Sequence, residues 1–413
     1  MFIVSIPPKL DIQKPGEAMS SIVSEASEMA DELVKIRRDL HQIPEFGLDL
    51  PKTQQYVLSK IEHLGEITLG KRLSSIVLLI DSGKPGPTVI LRSDMDALAV
   101  NEETNLEYSS TNGFMHACGH DLHMASAIGA AKLLSNQKDQ WSGKVSIWFQ
   151  PGEEGHGGAD IMIEEGALEI GGNAVASYGL HVFSSMPLGI FAGRAGALMA
   201  SASGVVVTVK GQGGHGSMPW LAKDPIIAAV AMISSLQGFI TQKLSPLKPV
   251  IINVGWVKAG DESTTNVIPE AASFGATIRT FSDESLDQVK ALLPQYLESI
   301  AATHDVQVSH RFNPASSVVN NNPENFELSK RAVVEEFGEE RFLEMEEPIT
   351  GGEDFSSILK KVPGNFIFLG ACPAGSDYET APTNHSTQAV FDDSVVADGA
   401  AWLATMALTH LGD

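Results

Sequence analysis

Residues Lys144–Glu154 read KVSIWFQPGEE. A short, nearly unbroken apolar run ends in a Pro-Gly turn that carries two adjacent glutamates. That is the pattern of a strand buried on both faces whose end opens into a polar loop. Three other segments repeat it. Thr88–Arg92 (TVILR) exits into Ser93-Asp94-Met95-Asp96, Ala174–Leu180 exits into His181, and Asn365–Leu369 (NFIFL) precedes the loop holding His385. Between them lie helical patterns: Met29, Leu33, Ile36 and Leu40 at helical spacing, then Asp121–Leu134 and Ser394–Leu411. The alternation predicts an α/β domain with a mainly parallel sheet.

The middle of the chain departs from this plan. Ser203–Lys210 (SGVVVTVK) is a β-branched strand that runs into the glycine-rich GQGGHGSMP. Asp224 is placed to cap a helix with Pro225 at its first position. Further strands at Val250–Val257 and Ser273–Thr280 and a helix at Ser285–Thr303 follow. We read an inserted, smaller α+β domain over 201–314. It divides a catalytic domain made of 1–200 and 315–413.

Among 413 residues, 28 Lys and Arg face 51 Asp and Glu, a formal net charge of −23. Such a balance argues against nucleic acid and against an anionic membrane surface, both of which need clustered cations. The two cysteines, Cys118 and Cys372, cannot staple a fold of this size, so a reducing, cytoplasmic setting is expected. The N-terminal MFIVSIPPKLDIQKP lacks a basic start and is broken by Pro7, Pro8 and Asp11, which argues against a signal peptide. No stretch approaches 18 uninterrupted apolar residues, so no membrane span is expected.

Open α/β sheets bind ligands beyond the carboxyl ends of their strands, and the rare donor types collect there. Cys118 and His120 stand two apart in HACGHD, so one tight turn can present both to a single centre. Sulfur and imidazole nitrogen suit zinc and its borderline-soft neighbours. Glu154, His181 and His385 would complete two adjacent sites. Glu153, next to a proposed ligand, is free to carry a proton from an attacking water to a leaving amine. Each lone histidine also has a bland reading as a structural residue. Asp121 reads as a cap of the following helix and as a polar partner behind the ligands. His116 and His123 read as polar neighbours, Asp96 as a loop support, His156 as a variable position, and Cys372 as a spectator. Glu353 and Asp354 fall near the site without a defined role.

HACGHDLH, QPGEEGHGGA, GLHV, GGHGSMP, TTNVIPE, IRTF, GGEDF and NHS occur in that order. Together they resemble the aminoacylase and hippurate-hydrolase family of dinuclear metallo-amidohydrolases, which includes auxin-conjugate hydrolases and is related to aminoacylase-type carboxypeptidases. The resemblance runs from about Leu33 to the last helix. It implies that Cys118, His120, Glu154, His181 and His385 bind two divalent ions, with Zn²⁺ expected and Mn²⁺ or Co²⁺ as alternatives. It makes Glu153 the general base and acid, and Asp94 a carboxylate behind the ligands that orients one of them. His215 would stabilise the oxyanion, in related enzymes often from a partner subunit, and a homodimer is expected. Asn266 and Arg279 would receive the amino-acid carboxylate. The implied reaction splits N-acyl amino acids into a carboxylic acid and an amino acid. Its rivals are a dipeptidase or carboxypeptidase on the same framework, and a catalytically silent metal- or carboxylate-binding protein.

Overall fold

The structure is a computed structural model, described here for residues 21–313 and 316–412. The N-terminal leader reading and the expected 314/315 boundary lie outside the described residues. The chain forms two compact units. The large one runs up to Leu198 and resumes with Asn320–Glu347 and from Asp354 onward; the small one comprises Met199–Val319 and Pro348–Glu353. The last segment belongs to a stretch that sequence patterning places wholly in the catalytic domain. It groups with the small unit because Ile349 bridges Met199 and accepts the Ala200 N–H at 3.0 Å.

The large unit is built on an eight-stranded sheet. Its order is Glu66–Leu69, Ile76–Asp81, Lys144–Gln150, Thr88–Asp94, Ala174–Phe183, Gly364–Gly370, Phe191–Gly193 and Phe342–Glu344. The four strands from Lys144–Gln150 to Gly364–Gly370 are mutually parallel, as the sequence predicts. Antiparallel pairings flank them on both sides. Val89, Leu91, Val145, Ile147, Ile367 and Leu369 share one core with helices Ala30–His41, His120–Asn136 and Val395–Leu408. The last two helices cross closely. A Cβ on Gly129 would lie 2.6 Å from Ala400 Cβ, and one on Gly399 would lie 2.6 Å from Ser126 Oγ. Only glycine allows that approach, and it seats the helix whose first residue is His120.

Asp121 is not the cap its position suggests. Helix His120–Asn136 begins after Gly119, at φ 87°, with no side-chain cap. The Asp121 carboxylate is buried instead, 2.8 Å from Arg37 Nε and 2.7 Å from His41 Nδ1. Burial alone would raise its pKa, but the charges of Arg37 and His41 hold it well below the usual carboxylate range. This pairing ties helix Ala30–His41 to the turn that presents Cys118 and His120.

In the small unit, an antiparallel sheet of order Val250–Ala259, Ala271–Thr280, Ser201–Lys210, Gln307–Phe312 shares a core with helices Pro225–Lys243 and Asp283–Thr303. Asp224 caps the first of these by accepting the Ile226 N–H at 2.8 Å. By length and composition, this helix of 19 residues and mean hydropathy 1.4 is apolar enough to cross a membrane. The core helix of a globular domain meets the same measure of length and composition, and this helix packs one side into such a core. Ala228, Ala229, Met232 and Leu236 are buried in the small unit's core.

Candidate metal and catalytic site

Ligand-type side chains gather where the parallel strands of the large unit end. Cys118 Sγ lies 3.3 Å from His181 Nε2 and 3.2 Å from His385 Nε2. His385 Nε2 is in turn 3.1 Å from Glu154 Oε1. Three overlapping groups have their ligand atoms within 4.8 Å of one another: Cys118 with His120 and His181, Cys118 with Glu154 and His385, and His120 with Glu153 and Glu154. All five residues that the sequence singles out as ligands are thus brought together, with Cys118 in two groups.

The histidines are turned for metal binding. His120 Nδ1 is 2.7 Å from the Asp96 carbonyl and His181 Nδ1 is 2.8 Å from the Val182 carbonyl. A carbonyl only accepts, so each ring holds its proton on Nδ1 and presents an unprotonated Nε2. His120 Nε2 is fully buried and has no hydrogen-bond partner among the described residues. A buried lone pair without a donor is costly unless an ion fills the role. Burial, with the neighbouring His120 and His123 adding to it, pushes His181 well below its ordinary value, so this ring is neutral, as a ligand must be. Burial and the charges of Glu154 and Glu153 push the Cys118 thiol far up. A bound cation reverses that balance and favours the thiolate. The donor set therefore fits a pair of divalent ions with Cys118 available to both.

Asp96 organises the turn that carries Glu153 and Glu154. Its two carboxylate oxygens accept the Glu153 and Glu154 N–H groups at 3.0 and 3.1 Å, while its backbone carbonyl holds His120. Burial and the nearby Glu154 charge raise its own pKa to about 8. Asp94 sits differently from the expectation. It accepts from Arg92 and from His123 Nδ1, both at 2.6 Å, and lies 3.7 Å from His120 Nε2. The hydrogen bonds that hold the His120 and His181 rings run to backbone carbonyls. His123 is occupied at both nitrogens, because its Nε2 accepts the Val182 N–H at 2.8 Å.

Behind Asp94 lies a group that sequence reading missed. Arg92 reaches Asp354 Oδ1 at 2.8 Å and Gln150 Oε1 at 3.0 Å, and Gln150 Nε2 also donates to Asp354. Arg92 and Gln150 look like ordinary strand residues in sequence. The strand register sets Arg92 opposite Trp148 and Asp94 opposite Gln150, so Arg92 reaches along the neighbouring strand to meet Gln150.

His215, Asn266 and Arg279 all lie in the small unit. Gly214–His215 pairs with Val267–Ile268, and the Asn266 carbonyl accepts the Gly216 N–H at 2.7 Å, so Asn266 sits beside the His215 turn. The Ser217 N–H donates to His215 Nδ1 at 3.2 Å, with Ser217 Oγ at 2.9 Å from the same atom. A backbone N–H cannot accept, so Nδ1 is the accepting nitrogen of this ring and leaves Nε2 as its donor. Arg279 is half-buried, donating to the carbonyls of Thr350, Ile278 and Ser203. Among the described residues it meets no carboxylate, and burial lowers its pKa.

The model of peptidase family M20/M25/M40 matches residues 90–409, and the chain belongs to that family. It is thus a hydrolase of the metal-dependent amidase and peptidase class. Thermostable carboxypeptidase 1 of Saccharolobus solfataricus is 35% identical over 95% of this chain and 98% of its own length. IAA-amino acid hydrolase ILR1-like 2 of Arabidopsis thaliana is 34% identical over 94% and 87%. Among solved structures, the Bacillus subtilis YXEP protein, a dinuclear metal binding peptidase from the M20 family, aligns with TM-score 0.78 and 30% identity over 92% of this chain and 98% of that one.

Proposed function

We propose that this enzyme hydrolyses the amide bond of N-acyl amino acids, with Cys118, His120, Glu154, His181 and His385 holding two divalent ions. The observation that carries this reading is the overlap of the two donor groups on Cys118, beside the unpartnered Nε2 of His120. Zn²⁺ suits the mixed sulfur, nitrogen and oxygen set, with Mn²⁺ and Co²⁺ as alternatives. When bound, such ions polarise a carbonyl and acidify water. Glu153 takes the proton of the attacking water and delivers it to the leaving nitrogen, so that a carboxylic acid and a free amino acid depart. His215, as an Nε2–H donor, stabilises the oxyanion. Asn266 and Arg279 receive the substrate carboxylate. Arg279 suits that task because, among the described residues, no carboxylate pairs with its guanidinium. The free state of Cys118 and Cys372 supports a cytoplasmic setting.

The test is a screen of N-acyl amino acids against dipeptides on metal-quantified protein. We expect the N-acyl amino acids to be the better substrates; preference for dipeptides would favour the carboxypeptidase reading, which the Saccharolobus relative supports. Absence of turnover on either class with Zn²⁺, Mn²⁺ or Co²⁺ added would leave only a binding role. In the same screen His215→Ala is expected to lose about 10²–10³ in kcat, the scale of one oxyanion donor, at unchanged metal content. A fall in metal content would remove His215 from the proposed role.

A homodimer is also proposed. Strand Val250–Ala259 is the edge of its sheet and exposes Ile251, Trp256 and Val257. Helix Pro225–Lys243 exposes Ile227 and Val230. An open, apolar edge of this kind is a template for pairing with a second copy. Sedimentation should give a dimer for the wild type and a monomer for Trp256→Lys. A monomeric wild type at assay concentration would refute the assembly.

A further inference from the structure

The amide of Asn384 lies where three ligand-bearing segments of the large unit meet. Its Nδ2 donates to the Val182 carbonyl at 2.9 Å and to the Cys118 carbonyl at 3.2 Å. Its Oδ1 accepts the Ser184 N–H at 3.0 Å. Carbonyls only accept and a backbone N–H only donates, so these partners fix which end of the amide is which. Both Nδ2 hydrogens are thereby engaged. Ser184 Oγ, 2.8 Å from the Pro382 carbonyl and 3.1 Å from Asn384 Oδ1, closes the clasp on the chain just before Asn384.

Each partner stands beside a proposed ligand. Cys118 brings its own carbonyl. The Val182 carbonyl is the one that holds His181 Nδ1, so a single oxygen serves the His181 ring and the Asn384 amide. His385 follows Asn384 directly, and its N–H donates to the Ala117 carbonyl at 2.9 Å. The His385 backbone has φ 72°. Residues other than glycine rarely take this left-handed conformation, and it persists where the surroundings over-determine it. His385 itself is exposed, so packing does not supply that constraint. The Ala117 carbonyl and the fully engaged Asn384 amide do. They keep His385 Nε2 at 3.2 Å from Cys118 Sγ and 3.1 Å from Glu154 Oε1.

We propose that Asn384 is a positioning residue that holds His385 ready for metal. Without it, the ion taken by Cys118, Glu154 and His385 binds more weakly, while the ion taken by Cys118, His120 and His181 stays. The inference rests on the two-ion reading above and adds to it a side chain that acts only through a ligand. His181 keeps its bond to the Val182 carbonyl when Asn384 is removed, because that carbonyl belongs to strand Ala174–Phe183. The loss therefore falls on His385, the one proposed ligand with a left-handed backbone.

The test is a Zn²⁺ titration of the metal-stripped full chain, which counts the ions and ranks their affinities whichever amide the enzyme cleaves. The wild type should take up two. Asn384→Ala should bind one ion as the wild type does and the other about 10- to 100-fold more weakly, the scale on which partners behind a metal ligand act. A double variant separates positioning from a general loosening of the fold. Asn384→Ala combined with His385→Ala should bind the weaker ion no more poorly than His385→Ala alone, because both changes act on one contact. Losses that multiply in the double variant, unchanged affinity in Asn384→Ala, or equal weakening of both ions would overturn the role of Asn384 alone. Should Asn384→Ala fail to fold, Ser184→Ala removes only the hydroxyl of the clasp and should weaken the same ion about threefold; unchanged binding there would equally overturn it. A wild type that binds fewer than two ions would overturn the two-ion reading, and the role of Asn384 with it.

Discussion

Glu153→Gln is expected to lower kcat by about 10²–10⁴, the usual worth of a positioned general base, while metal content stays at the wild-type level. Glutamine preserves the length of the side chain and leaves its backbone N–H on Asp96, so the turn keeps its shape. What it removes is a carboxylate able to take a proton from water and return it to nitrogen. Steady-state kinetics together with elemental analysis separate these effects. Retained turnover would remove Glu153 from the scheme. Loss of metal would instead make Glu153 a ligand, a role its nearness to His120 and Glu154 leaves open to test.

The second large effect is expected at Cys118. Its sulfur belongs to two donor groups, so Cys118→Ala weakens both at once. We expect metal content to fall and hydrolysis to drop to background. Added Zn²⁺, Mn²⁺ or Co²⁺ at the concentration that saturates the wild type should fail to restore it. Thermal denaturation gives an independent check, because an ion that binds only the folded chain raises its midpoint. Chelation should lower the midpoint of the wild type and leave that of Cys118→Ala unchanged. Full metal content in the variant would show that Cys118 is a bystander.

The strand order was not readable from sequence, but the strands were. Val89–Leu91 and Val145–Phe149 are covered on both faces, and such segments cannot hide among loops. The ligand candidates were legible for a chemical reason: a cysteine between histidines at a strand–helix turn has few other uses. The network behind them was not. Arg92 and Asp354 are separated by 262 positions and meet only because the sheet sets their elements side by side. Asp121 was misread because an acid at a helix start is usually a cap, and here the buried Arg37 and His41 outcompete the helix N-terminus for it.

Strand Gly364–Gly370 lies inside the large sheet, hydrogen-bonded to Ala174–Phe183, although some 180 residues separate the two in the chain. During synthesis, the edge left by Ala174–Phe183 must therefore wait, unpaired, while the whole small unit emerges from the ribosome. A bare edge of that length invites pairing with other nascent chains. The small unit, whose sheet closes from local segments, has no such delay. Messages truncated before codon 364 should accordingly yield insoluble product, while a separately expressed C-terminal fragment supplied in trans should rescue solubility.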